Sequence, residues 1–202
     1  MNLNTSSTGD WPSRLGALKA LGVLMLAMIA VHVFNALVLG HSWDRYGIRP
    51  AGVDGLWPGV VSAPFLHVSN VHLANNLVVL AVLGGMAALI SGNARFIAAT
   101  VFIAVVGGAF TWLIARSGSH IGASGLVFGY FGFLVGQGLF RQSLLSLAVA
   151  GVVTFLYGTN IFFGIVFPKG CTSWEGHLAG ALAGLAYARL EVVVASGKAR
   201  RR

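Results

Sequence analysis

Residues 121–140 read IGASGLVFGYFGFLVGQGLF, twenty residues without a single Lys, Arg, Asp or Glu. About 20 apolar residues of α-helix cross the hydrocarbon core of a bilayer, so this run predicts a membrane span. It opens with a Gly-Ala-Ser-Gly turn, which places the hydroxyl of Ser124 at the edge of the apolar segment.

The rest of the chain has the same character. Apolar residues make up 56% of the 202 residues, charged residues only 9%, and the mean hydropathy is +0.82, which excludes a soluble globular domain. A last apolar run carries Arg189 and Glu191 near its far end, where long side chains can reach the headgroups. Backbone groups in lipid must pair within their own segment, so an all-α membrane protein is predicted. Its six spans are 20–39, 71–90, 96–115, 121–140, 144–167 and 176–196.

Basic residues predict the orientation of these spans. With the N-terminus inside, nine Lys and Arg residues fall on the cytoplasmic side and four outside. We therefore expect a single multi-pass domain over 1–202 in the cell membrane, with residues 1–19 and the basic tail 197–202 both cytoplasmic. The net charge of +8 then suits anionic lipid, and no nucleic acid partner is expected because exposed aromatics do not interleave with a basic patch.

Two loop features complete the organisation. Residues 40–70 connect the first two spans and are neither polar nor repetitive, which favours a folded, partly membrane-embedded element. The lone Cys171 lies in the last outer loop and has no second cysteine with which to form an intramolecular disulfide. The first span exceeds the apolar length of a signal peptide and is expected to be retained.

Polar residues gather at one depth. The second, fourth and sixth spans all enter from the outer side, and each carries polar groups near its beginning: His67, His72, Asn76, Ser124 and His177. His72 and Asn76 are four residues apart and share a helix face, which Ser69 is placed to cap. Glycines recur every three or four residues in the fourth span (125, 129, 132, 136) and the sixth (176, 180, 184). These small faces predict close packing of the two helices and a hydrogen bond between Ser124 and His177.

Such a pair supports nucleophilic acyl transfer. His177 would take the proton of Ser124 and later return it to a leaving amine. The Asn76 amide, an imidazole N–H of His72 and the backbone N–H of Ser124 are suitable donors for an oxyanion. No acidic residue lies in mid-membrane, so a Ser-His dyad is predicted, with Phe128 stacking on the His177 ring. We expect no cofactor and no metal, because His67, His72 and His177 lack an acidic ligand and a His-Glu-x-x-His motif.

Other polar residues have simpler interpretations. His67 is either support for the site or a structural cap. His32 and Asn35 are predicted to be interhelical contacts, and His41 and His120 solvated loop residues. A transporter is disfavoured because no charged or discontinuous mid-membrane segment marks a pathway.

Three motifs in order give the chain a resemblance to the rhomboid intramembrane serine proteases. The family's Gly-x-Ser-Gly stands as residues 122–125, its His-x4-His-x3-Asn as His67, His72 and Asn76, and its Gly-His-x-x-Gly-x-x-x-Gly as residues 176–184. Tyr46-Gly-Ile-Arg-Pro50 and Ser173-Trp-Glu-Gly-His177 extend the similarity, which covers about 46–190.

The resemblance implies Ser124 as nucleophile, His177 as general base, and Asn76 with His72 in the oxyanion hole, supported by Gly122, Gly125, Phe128 and His67. It further implies cleavage of single-pass or multi-pass membrane proteins near the outer boundary, at bonds flanked by small residues. Many relatives have Tyr where Phe128 stands, so a hydroxyl is lost while stacking survives. The alternative is an inactive relative that binds transmembrane helices, although such proteins usually lack the Ser or the His.

Overall fold

The computed structural model describes residues 10–50, 56–141, 143–168 and 172–199, except for the side chains of 198 and 199. Helices account for most of these residues, and their only extended pairing is one isolated bridge. The α-helices are α1 Trp11–Leu37, α2 Trp57–Ser62, α3 Asn70–Ser91, α4 Asn93–Phe102, α5 Gly108–Ile114, α6 Ser124–Arg141, α7 Leu144–Val166 and α8 Trp174–Ala199. A π-helical stretch, Ile103–Gly107, joins α4 and α5 into one continuous rod.

Five segments are long and apolar enough to cross a membrane: Trp11–Leu37, Asn70–Ser91, Asn93–Ile114, Leu144–Val166 and Trp174–Gly197. They correspond to the first, second, third, fifth and sixth predicted spans. The helix α6 is not among them, because its 18 residues include Gln137 and Arg141. At about 1.5 Å per residue it is roughly 27 Å long, close to the thickness of a hydrocarbon core. Its crossing of the membrane stays a prediction, as does the placement of both termini.

The starts of the first, third and fourth spans were predicted wrongly, that of the third by three residues because α4 begins at Asn93 rather than Phe96. The first helix begins at Trp11 rather than Ala20, since Asp10 accepts a hydrogen bond from the Ser13 backbone at 3.1 Å and Pro12 occupies the first turn. The predicted span began after Lys19, the last basic residue before the apolar run, and therefore left out this polar first part of the helix. The fourth helix begins at Ser124 rather than Ile121, because Gly122 has a left-handed φ of 121°.

The helix α6 lies at the centre of the fold and packs closely on α8 through glycines. A methyl group at Gly180 would collide with the carbonyl oxygen of Gly125, and one at Gly184 with that of Gly129. On the same interface, Gly132 faces the backbone of Ala181. The predicted close packing of the two small faces is confirmed.

The other neighbours of α6 complete the core. The buried Tyr130 stacks on Phe96 at a centroid distance of 5.5 Å, and its hydroxyl lies 2.7 Å from the Thr100 hydroxyl. By contrast, α7 buries only Val153 and Ile161 and leaves Phe155 86% exposed. An apolar helix of this kind is suited to lipid rather than to water.

At the far end of α8, Glu191 does not reach outward as predicted. Its Oε2 accepts hydrogen bonds from Gln137 at 2.8 Å and from Arg141 at 3.0 Å, and the side chain is only 10% exposed. A carboxylate in an apolar bundle needs such partners, which explains why it turns inward. Arg189 instead lies over the Phe140 ring at 5.4 Å.

The connection between α1 and α3 is folded, as predicted. It contains the 3-10 turns Ser42–Tyr46 and Ala63–Phe65 on either side of α2, while residues 51–55 lie outside the described part. Asn35 fixes its start by hydrogen bonds to the Asp44 carboxylate at 2.8 Å and the Trp43 backbone at 3.0 Å. The predicted embedding of this connection in the membrane stays a prediction, and Cys171 lies outside the described residues.

Candidate active site

Ser124 is the first residue of α6 and follows a tightly held turn. The Gly122 backbone donates a hydrogen bond to the Ala63 carbonyl at 2.8 Å. A methyl group at Gly122 would lie 2.7 Å from Cε1 and 2.9 Å from Nε2 of His72, so space and φ both require glycine. This turn therefore brings His72 of α3 against the segment that carries Ser124.

His67 supports the same turn from the other side. Its side chain is fully buried, and its Nε2 accepts a hydrogen bond from the Ala123 backbone at 3.2 Å. Burial, together with the neighbouring His72, lowers the pKa of His67 from 6.5 to about 4. A neutral His67 keeps the lone pair that this hydrogen bond needs. Of the two interpretations offered by the sequence, support for the Ser124 segment fits this contact.

The start of α3 is capped as the sequence predicts. The Ser69 side chain accepts a hydrogen bond from the His72 backbone at 3.2 Å. His32 of α1 reaches the Asn70 side chain at 2.8 Å, so its predicted interhelical role is confirmed. Asn35 contacts the following loop instead of a helix, because Asp44 and Trp43 turn back over the end of α1.

His177 is held by two contacts that leave one ring nitrogen free to act. Its Nδ1 donates to the Gly164 carbonyl at 2.9 Å, and a carbonyl can only accept, so in the neutral ring Nε2 keeps its lone pair. The Phe128 ring stacks on the imidazole at 3.9 Å and 15°, as predicted. A methyl group at Gly164 would lie 2.8 Å from Phe128 Cζ.

A cavity of about 630 Å³ connects three of the predicted groups, with Ser124, His177 and His72 in its wall. Arg116, residues 117–121, Val68, Thr172 and Ser173 line the remainder. The predicted hydrogen bond between Ser124 and His177 is not formed among the described contacts. The imidazole is fixed instead by Gly164 and Phe128, and an unliganded site often holds its catalytic hydrogen bonds long.

Asn76 lies one turn beyond His72 on α3 and does not line this cavity. Its side chain is 7% exposed, and its Nδ2 has no partner among the described residues. A methyl group at Gly122 would lie 3.6 Å from that nitrogen. This buried amide lies beside the turn that leads to the serine and has no partner in the part of the chain that the structure describes. It is therefore suited to donate a hydrogen bond to an oxygen that develops negative charge.

Sequence reasoning missed the contacts of three residues, two of them at the site. Gly164 lies in an apolar helix, where nothing in the sequence distinguishes it from its neighbours. Its role is seen only from its contacts with Phe128 and His177. His120 was predicted to be solvated, but both of its ring nitrogens are bonded, one of them to Ser173. His41 is also not freely solvated, because it is half-buried with Nδ1 3.3 Å from the Asp44 carboxylate. The partners of Gly164 and His120 come from other segments of the fold, which spacing along the chain does not show, whereas Asp44 is only three residues from His41.

Comparison with known proteins identifies the family. The model of the Rhomboid domain matches residues 54–193, which is well over half of the chain and includes the Ser124, His177, His72 and Asn76 positions. The chain therefore belongs to the rhomboid family. With its apolar helices, it is a multi-pass membrane protein.

Mycobacterial relatives are similar over most of the chain. The uncharacterized protein Rv1337 of Mycobacterium tuberculosis is 41% identical across 84% of this chain and 74% of its own length. The uncharacterized protein Mb1372 of Mycobacterium bovis has the same values. The uncharacterized protein ML1171 of Mycobacterium leprae is 39% identical across 84% of this chain and 70% of its own length.

Proposed function

We propose that this rhomboid-family protein is an intramembrane serine endopeptidase that acts through a Ser124-His177 dyad. Its substrates are single-pass or multi-pass membrane proteins, whose transmembrane helices it cleaves near the outer boundary of the cell membrane. The observation that carries the proposal is the shared cavity, into which Ser124 and His177 project from different helices. His177 also has the tautomer that a general base requires, since Gly164 occupies Nδ1 and leaves Nε2 able to accept a proton.

The reaction follows from these groups. Nε2 of His177 takes the Ser124 proton as Oγ attacks the carbonyl carbon of the scissile peptide. The oxyanion receives hydrogen bonds from the Asn76 amide, the His72 imidazole and the Ser124 backbone N–H. Protonated His177 then gives its proton to the leaving amine as the peptide bond breaks. A water molecule next attacks the acyl-enzyme while His177 takes its proton, and His177 returns that proton to Ser124 Oγ as the ester bond breaks.

The lack of a mid-membrane carboxylate does not leave the base unsupported. The Gly164 carbonyl orients the ring through Nδ1, and Phe128 holds its plane by stacking. A second cavity of about 60 Å³ adjoins Ser124 and is lined mainly by small and apolar residues. Its size supports a small substrate side chain beside the cleaved bond. Membrane lipids surround the protein, and the basic cytoplasmic tail anchors it to their anionic headgroups.

A second candidate is an inactive relative that binds transmembrane helices without cutting them. It is favoured by one observation, the missing hydrogen bond between Ser124 and His177. A fluorescent fluorophosphonate separates the two, because only a serine activated by a working base reacts with it.

The experiment compares the purified full chain in detergent with Ser124→Ala and His177→Ala. We expect labelling of the native protein alone, together with cleavage of a reporter transmembrane helix that both variants leave intact. Native protein that is folded, unlabelled and unable to cleave would overturn the protease proposal and favour the inactive relative that binds helices.

A further inference from the structure

His120 joins three segments around the cavity. Its backbone exchanges hydrogen bonds with Ile48 of the first loop, at 2.9 and 3.0 Å. Its side chain contacts the Arg116 carbonyl through Nε2 at 2.9 Å and the Ser173 hydroxyl through Nδ1 at 2.7 Å. Ser173 directly precedes α8, whereas His120 lies four residues before Ser124. One imidazole therefore connects the segment that leads to Ser124 with the segment that leads to His177.

The partners fix the direction of these hydrogen bonds. The Arg116 carbonyl only accepts, so Nε2 of His120 donates, and in the neutral ring Nδ1 must accept from the Ser173 hydroxyl. The Ser173 oxygen in turn accepts from the Gly176 backbone at 3.1 Å, as a helix N-cap does. The hydrogen bonds thus run from Gly176, the residue before His177, to the loop before Ser124.

An ion pair joins the same two segments. The Arg116 guanidinium lies 3.5 Å from the Glu175 carboxylate, and the Arg116 backbone donates to the same oxygen at 3.3 Å. Glu175 is 1% exposed, and a buried carboxylate needs such a partner. Arg116 therefore holds His120 by its carbonyl and the first turn of α8 by its side chain.

We infer that His120 is a positioning residue that sets the approach of His177 to Ser124, an inference that rests on the proposed protease function. The dyad is not in hydrogen-bond contact in this structure, so its geometry depends on how the nucleophile turn and the first turn of α8 are held together. A misplacement of about 1 Å can cost roughly 100-fold in rate. The His120–Ser173 hydrogen bond is one side-chain link between those segments, beside the Arg116–Glu175 ion pair, and it is the one that begins nearest to Ser124 in the sequence.

Variants of the full chain in lipid nanodiscs test this inference through cleavage of the reporter helix. His120→Ala is expected to lower kcat about 10- to 100-fold with a much smaller change in KM, because the main loss is in the geometry of the dyad. His120→Asn places an amide where Nδ1 lies and should restore most of the rate. His120→Gln keeps only the Arg116 side and should not.

Ser173 provides the second half of the test. Ser173→Ala should lower kcat like His120→Ala, and the double variant should be no slower than the slower single, because both remove the same link. Ser196→Ala is the matched control. Ser196 lies on α8, the helix that Ser173 caps, and its hydroxyl donates to the Val192 carbonyl one turn earlier, so the rate of this variant should be that of the native protein.

Hydrogen exchange measures the link without relying on activity. His120→Ala should accelerate exchange at the Gly176 and His177 amides while leaving the middle of α7 unchanged. Unchanged kcat and exchange in His120→Ala would overturn the inference, as would equal rates for the Ala and Asn variants. Accelerated exchange in a chain whose native form neither cleaves nor reacts with fluorophosphonate would instead overturn the protease function and reduce the link to a contact of the fold.

Discussion

The fully buried His67 makes the turn before Ser124 sensitive to acid. Its pKa is lowered to about 4, so the folded protein favours the neutral ring more strongly than the unfolded chain does. The resulting stability is fully present above about pH 6.5 and is lost as the pH falls toward 4, on the order of 3 kcal/mol in all. Protonation also removes the lone pair that accepts from Ala123.

We therefore expect fluorophosphonate labelling and thermal stability to fall together, and reversibly, between pH 6.5 and 4. His67→Gln is the control, because its amide oxygen can accept from Ala123 and does not titrate. The variant should lose less of its labelling over that pH range than the native protein does. Equal losses in both proteins would show that another group controls the acid response.

Gly164 is the second residue whose environment leads to a prediction. Gly164→Ala should reduce the labelling rate about 10-fold or more, because the added methyl displaces Phe128 from the His177 ring. Gly151→Ala on the same helix is the matched control, since nothing lies within 4 Å of its added methyl. A normal labelling rate in Gly164→Ala would show that stacking does not hold the base.

Among the elements, α6 and α8 depend on backbone contact. Gly180→Ala should destabilise the fold by about 1–3 kcal/mol, because its methyl meets the Gly125 carbonyl and the helices must separate. Gly197→Ala, also on α8 but in open space, should leave the unfolding temperature unchanged or slightly raised. Thermal unfolding in detergent measures both, and equal temperatures would contradict the close-packing account.

Elements were predictable from the sequence where one physical signal dominated. Freedom from charge located α3 and α7 to within a residue, and glycine spacing identified the face between α6 and α8. The start of α1 was missed because it is set by the Asp10 cap and by Pro12 in the first turn. Both lie in a polar segment, where hydropathy does not indicate a membrane helix.

The site divides in the same way. Residue type and helical spacing identified Ser124, His177, His72 and Asn76 as candidates, and Phe128 as a stacking partner. The roles of Gly164 and His120 depend on contacts between segments distant in sequence or on a carbonyl of a turn, which no periodic pattern encodes.

On the scale of the whole molecule, the crossing of α6 determines on which side the proposed chemistry takes place. This helix is not among the five segments that are apolar enough to cross a membrane by composition, and it is central to the fold, so packing rather than lipid exposure stabilises it. If it spans the bilayer in the predicted orientation, the loop before it, with Ser117, lies outside and the loop after it, with Ser143, lies in the cytoplasm.

Cysteine accessibility in intact cells tests this topology. In a Cys171→Ser background, a membrane-impermeant maleimide should label Ser117→Cys in intact cells and Ser143→Cys only after permeabilisation, because both positions are exposed and lie at opposite ends of the predicted span. Ser196→Cys, near the C-terminal end of α8, should behave like Ser143→Cys. Labelling of Ser117→Cys and Ser143→Cys from the same side would mean that α6 does not cross, and labelling with every side reversed would place Ser124 toward the cytoplasm.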